Sequence, residues 1–177
     1  MIAFGQSYTA HTFVFCIEQS TTLNCWRIPI IIELEAALAQ LPPEVEFSVV
    51  MYQTGAQNFS TAPVKATPEN QAAAVSWVSS SAWWIGTCCM MEGVLSAVEV
   101  ANQSDAHEQA MILITSGDTG GATTQLTCEA ISSANFQRDT IHVATPQLVG
   151  PTDWLAPVAY NTPGGTLAQL PPPMPGD

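Results

Sequence analysis

The chain reads as a single α/β domain: a doubly wound, mostly parallel central sheet with helices on both faces and one short antiparallel edge strand. Two observations predict this. Short apolar runs rich in β-formers alternate with helix-length stretches along the chain, and that alternation builds parallel strands joined by right-handed helical crossovers. In addition, 177 residues with an apolar fraction of 47% are enough for one sizeable core.

The elements follow in order. Thr12 to Glu18 (TFVFCIE) is a buried strand. Ser20-Thr21-Thr22 makes a turn, Asn24 is the candidate N-cap, and Cys25 to Gln40 is the first helix, closed by Leu41-Pro42-Pro43. Val45 to Tyr52 is the second strand. Phe59 to Val64 is an edge strand, because Pro63 has no N–H to give to a central ladder. Thr67-Pro68-Glu69-Asn70 opens a helix with proline in its first turn, running to about Val78. A loop, Ser79 to Thr87, leads to a helix from Cys88 to Asn102, which contains Gly93. Ala110 to Thr115 is the most apolar strand, and the Gly-rich turn Ser116 to Gly121 leads to a helix from Thr123 to Asn135. Thr140 to Ala144 is a strand, Thr152 to Tyr160 a short helix, and Thr166 to Leu170 a last short strand after Gly164-Gly165. The domain is therefore expected over 12–170, with an N-terminal extension over 1–11 and a Pro-rich tail over 171–177.

Charge limits the partners. Charged residues make up 10% of the chain, and Arg27, Lys65 and Arg138 face fifteen acids, for a net charge of −12. Such a surface repels phosphate backbones and argues against nucleic acid. A surface so poor in charge is suited to burial in an assembly. No apolar run reaches the length of a membrane span, and Met1 to Thr9 lacks the basic residues and apolar core of a signal peptide. The five cysteines (Cys16, Cys25, Cys88, Cys89, Cys128) are odd in number and lack metal-ligand spacing, so they read as buried thiols.

In an open parallel sheet, ligands bind outside the carboxyl ends of the strands. The loops to inspect are Gln19–Asn24, Ser79–Thr87 and Ser116–Gly121, and they hold a pattern: Glu18-x-Ser20-x-Thr22, then Gly86-Thr87, then Thr115-Ser116-Gly117-Asp118. Over roughly Thr12 to Leu170 the chain resembles a von Willebrand factor type A domain. The metal-ion-dependent adhesion site of that family uses Asp-x-Ser-x-Ser, a distant Thr and an Asp in a Thr-Asp-Gly turn. The resemblance implies a metal site at Glu18, Ser20, Thr22, Thr87, Ser116 and Asp118, in degraded form. Mg²⁺ wants six oxygens at about 2.0–2.1 Å. Glu18 stands where the family has Asp and is one methylene longer. Ser116 stands where the third loop needs a carboxylate, and Asp118 lies two residues on. The expectation is that no cofactor is required and that Mg²⁺ binds weakly, if at all. On the plainer reading, Glu18, Ser20 and Thr22 cap the first helix and satisfy backbone donors.

Catalytic patterns are weak. No Gly-x-Ser-x-Gly occurs, and the glycine-rich Gly117 to Gly121 has no Lys to cradle phosphate. His11, His107 and His142 lie far apart, away from the three loops. Asp118-Thr119-Gly120 is the aspartic-protease triplet, but a lone copy after a buried parallel strand argues little. The expectation is a non-enzymatic protein-binding or adhesion module, with a structural subunit of a homo-oligomer or filament as the alternative; a hydrolase using Asp118 or Ser116 comes last, for want of an acid–base partner.

Two apolar features suggest where a protein partner or a second copy would bind. Trp83-Trp84-Ile85 sits in a loop expected at the rim of the site. The first helix carries Ile28, Ile30, Ile31, Ile32 and Leu34 with almost no polar face, and Pro29 interrupts its early turns. A helix apolar all round asks to be buried on every side, which favours self-association.

Overall fold

The computed structural model describes residues 1–81, 88–119, 122–135, 139–146, 155–160 and 162–170. Its first strands are β1 (Ile2–Ala3), β2 (Gln6–Ser7) and β3 (Thr12–Glu18). After a short 3-10 turn over Asn24–Trp26 come α1 (Arg27–Leu38) and β4 (Glu46–Tyr52), then the short strands β5 (Ala56–Asn58) and β6 (Val64–Lys65). Next are α2 (Pro68–Ser80), α3 (Met90–Ala101), β7 (Gln109–Ile114) and α4 (Thr124–Ala134). The chain closes with β8 (Thr140–Thr145), α5 (Leu155–Tyr160) and β9 (Leu167–Gln169). The main sheet has the order β5-β4-β3-β7-β8-β9, with β6 also paired to β4. The pairs β3–β4, β3–β7, β7–β8 and β8–β9 are parallel, and β5 and β6 run antiparallel to β4. This is the doubly wound α/β architecture the sequence predicts.

Two-residue periodicity along the strands explains the two cores. Phe13, Phe15 and Ile17 of β3 point to one face, where they join Leu34, Ala37 and Leu38 of α1 and Ala74 and Val78 of α2. Val14 and Cys16 point to the other, where they join Met90, Val94, Ala97 and Val98 of α3, Ile131 of α4 and Leu155 of α5. Strands buried on both faces cannot alternate apolar with polar, hence their continuous apolar runs.

The structure corrects several local expectations. The antiparallel edge consists of β5 and β6, flanking the expected strand at 59–64. Between them Phe59 turns inward, its ring stacked 6.3 Å from that of Phe47. Asn24 does not cap α1. The 3-10 turn intervenes, the cap position falls on Trp26, and no side chain caps the helix. Pro29 does not interrupt α1 either, because in the first turn its missing N–H has no intrahelical carbonyl to meet. The third helix starts at Met90 rather than Cys88. Of the cysteines, Cys16 and Cys88 are buried, but Cys25 is exposed and Cys89 and Cys128 are half-buried.

The N-terminal residues form the antiparallel β1–β2 hairpin, and Ala3, Phe4 and Tyr8 enter the α1-side core. Tyr8 meets the buried His142 of β8 edge-on at 4.5 Å. Burial, with Glu33 nearby, pushes the Tyr8 phenol up to about 12. The tail 171–177 lies outside the described residues. Among the described residues no helix is long and apolar enough to cross a membrane.

Candidate functional site

The carboxyl ends of β3, β4 and β7 lie side by side, since Glu18 pairs in register with Tyr52 and Ile17 with Ile114. The last residue of β3 is therefore flanked by the last residue of β4 and by Thr115, just past β7. Glu18 is fully buried, and a buried carboxylate needs partners. It has four donors. Its Oε2 accepts from the Thr115 hydroxyl at 2.7 Å, the Ser116 backbone N–H at 2.8 Å and the Tyr52 hydroxyl at 3.4 Å. Its Oε1 accepts from the Ser116 hydroxyl. The Thr115 oxygen accepts in turn from the Gly117 N–H at 3.0 Å, which extends the network into the loop. Gly117 has φ +87°, a left-handed turn suited to glycine.

Three more groups surround the carboxylate. Burial, and then the Glu18 charge, hold the Tyr52 phenol well above its ordinary value. Burial also raises the Cys16 and Cys88 thiols, with Glu18 adding to both and Asp118 to Cys88. The Tyr52 ring lies under α3 at Gly93, where a Cβ would come within 2.3 Å of the ring. A glycine in this helix costs some helical stability, and here it makes room for the tyrosine.

The six expected metal ligands are thus only partly brought together. Glu18 and Ser116 meet, through a hydrogen bond between them. Ser20 is buried, and its Oγ accepts from the Leu23 N–H at 3.2 Å, so it satisfies a backbone donor ahead of the 3-10 turn without capping the first helix, which has no side-chain cap. Thr22 is exposed and so is Asp118. Thr87 falls outside the described residues, as do Trp83, Trp84 and Ile85.

Among the described residues, Glu18 and Ser116 as they stand do not offer Mg²⁺ its oxygens. Both Glu18 oxygens are occupied by protein donors, the Ser116 hydroxyl is spent on Glu18, and no second carboxylate stands at position 116. Among the described residues no three His, Cys, Asp or Glu side chains come together as a metal group. Tyr52, Thr115, Cys88 and Gly93 belong to this site but were not among the expected ligands. Gly93, a helix-weakening residue inside the third helix, was the available signal.

An open, mostly parallel sheet with helices on both faces defines a doubly wound α/β domain. More particularly, this is the von Willebrand factor type A fold. The chain superposes on the von Willebrand factor type A protein from Catenulispora acidiphila with TM-score 0.81 at 19% identity, covering 94% of this chain and 40% of that one. The pilus adhesin SpaC of Lactobacillus rhamnosus GG, in its open conformation, gives 0.69 at 11% identity, covering 94% of this chain and 28% of its own. Proximal thread matrix protein 1 of the mussel byssus, with a zinc-occupied MIDAS motif, gives 0.65 at 13%, covering 90% and 41%. The chain thus spans less than half the length of each of these three proteins. No protein-family model and no curated protein matches the sequence.

Proposed function

We propose that the chain is a non-enzymatic protein-binding module of the von Willebrand factor A kind, working within a protein assembly. The observation that carries this reading is on α1. Ile28 and Ile32, one helical turn apart, are 49% and 59% exposed, although α1 packs fully on its other side. A paired, exposed apolar turn suits a protein surface. The adhesin and matrix-protein neighbours add support at the level of fold. Trp83, Trp84 and Ile85, expected at the rim of the site, are separate candidates for a partner contact, from the sequence alone.

The polar groups of the site also favour binding over catalysis. The Ser20 and Ser116 hydroxyls are engaged by Leu23 and Glu18, and His142 is buried against Tyr8. Self-association into a structural subunit is the second reading, favoured by the same isoleucines together with the low surface charge.

The experiment is light scattering of the wild type and of Ile28→Gln/Ile32→Gln over a wide concentration range, with affinity capture from the native source. Concentration-dependent growth lost in the variant supports the second reading. A monomer that captures a protein the folded variant does not capture supports the first. Identical behaviour of the two proteins in both assays removes α1 as the contact.

A further inference from the structure

We propose that the Glu18 carboxylate does here what a bound cation would do: it ties the end of β3 to the loop after β7, so this face keeps its shape without a divalent metal. The inference goes beyond the binding-module reading and needs no knowledge of the partner.

Two departures from the metal-site pattern make sense only together. The extra methylene of Glu18 carries its carboxylate from the end of β3 to the Thr115 hydroxyl and the Ser116 N–H on the neighbouring strand's loop. A carboxylate at position 116 would meet this one with like charge and disfavour its ionised form. A serine there offers a hydroxyl donor instead, and it is bonded to Oε1. Conversely, a shorter acid at position 18 would draw back from those donors and leave the end of β3 untied from the loop after β7. Tyr52 supplies a fourth donor from the third strand, through the space that Gly93 leaves open. Charge-assisted bonds of this kind are the stronger class, and a linked set polarises its members. The negative charge that would attract a cation is thus already met by donors from two neighbouring strands and their loops.

The test is thermal unfolding of the wild-type chain in EDTA, in Mg²⁺ and in Mn²⁺, joined to a double-mutant cycle of Glu18→Gln and Ser116→Ala in EDTA. The expected result is one melting temperature in all three solutions. In the cycle, each single variant melts lower, and the double variant melts no lower than Glu18→Gln alone, because both remove the same tie. A melting temperature that rises saturably with Mg²⁺ or Mn²⁺, and no longer does so in Ser20→Ala, overturns the proposal. Fully additive losses in the cycle also overturn it. The metal arms use the wild-type chain, so they decide the matter even if Glu18→Gln does not fold.

Discussion

Ser116 gives Glu18 two hydrogen bonds, one from its backbone N–H and one from its hydroxyl, across the junction of β3 and β7. The hydroxyl is the removable half. A hydrogen bond to a charged group contributes about 1.5–3 kcal/mol, and Ser116 is only half-buried, so water can replace part of the loss. Ser116→Ala is expected to cost about 1–2 kcal/mol in urea unfolding. Thr22→Ala, two residues past Ser20 but exposed, should fall within about 0.5 kcal/mol of wild type. Equal losses at the two positions would mean that Thr22 shares the tie and that its exposed setting is misleading.

Gly93→Ala tests the tyrosine's place. On an ordinary helix, alanine for glycine gains up to about 1 kcal/mol. Here the added Cβ would lie 2.3 Å from the Tyr52 ring, itself fully buried. Overpacking of this kind costs about 1–3 kcal/mol, so a net loss of stability is expected. Pairing the change with Tyr52→Leu should recover part of it. A stabilised Gly93→Ala protein would show that the ring can shift at little cost.

These two predictions show what the sequence could and could not disclose. The central strands β3, β4, β7 and β8 were legible because each is a largely apolar run, which a sheet covered on both faces requires. The loops at the carboxyl ends were legible for the same reason. The bond between Glu18 and Ser116 was not, because it depends on the register of β3 against β7, and no spacing along the chain encodes that. Tyr52 looked like one more aromatic ending a strand, and only its position opposite Glu18 makes it part of the site. Asn24 looked like a cap because its side chain suits one, but a 3-10 turn intervenes and no side chain caps α1, while Ser20 takes the Leu23 N–H instead. The exposure of Ile28 and Ile32 could be suspected from the all-apolar helix. Which of its isoleucines face out was decided by packing.

Asp139 predicts a pH dependence. Its side chain is buried, Oδ2 has no hydrogen-bond partner among the described residues, and burial pushes its carboxyl up from 3.8 to about 6. Between those values the folded protein binds more protons than the unfolded chain, so this group lowers stability as pH rises through that window. Above it the penalty is complete, at most about 3 kcal/mol for a shift of this size. The Asn135 side chain bonds the Asp139 backbone, donating to its carbonyl and accepting from its N–H, and asparagine would keep both bonds. Asp139→Asn is therefore expected to stabilise the protein at pH 7.5, with the gain shrinking toward zero near pH 4. Burial lowers the pKa of His142, which acts in the opposite sense: its contribution is lost as pH falls below its ordinary value. The difference between the two proteins, measured by urea unfolding at each pH, cancels that term. A difference that does not vary with pH would place the effect of Asp139 in packing.

The two sides of α1 should respond to substitution in opposite ways. Leu34 is fully buried in the core that α1 shares with α2 and β3, whereas Ile32, two residues earlier, is 59% exposed. Leu34→Ala is expected to cost about 2–5 kcal/mol, since it leaves a cavity in a packed interior. Ile32→Gln should leave stability within about 0.5 kcal/mol, because the isoleucine is already largely in water and glutamine is at least as good a helix former. Ile28→Gln should behave the same way, since Ile28 lies on the same face one turn earlier. If the pair is a contact, association must respond where stability does not. An interface residue that matters costs more than 1 kcal/mol on truncation, or about a fivefold loss of affinity, for a partner or for a second copy. Sedimentation of the self-associating species, or binding to a captured partner, measured beside unfolding curves of the same variants, separates the two effects. Association unchanged in both isoleucine variants would leave α1 a solvent-facing helix and move the search to Trp83, Trp84 and Ile85.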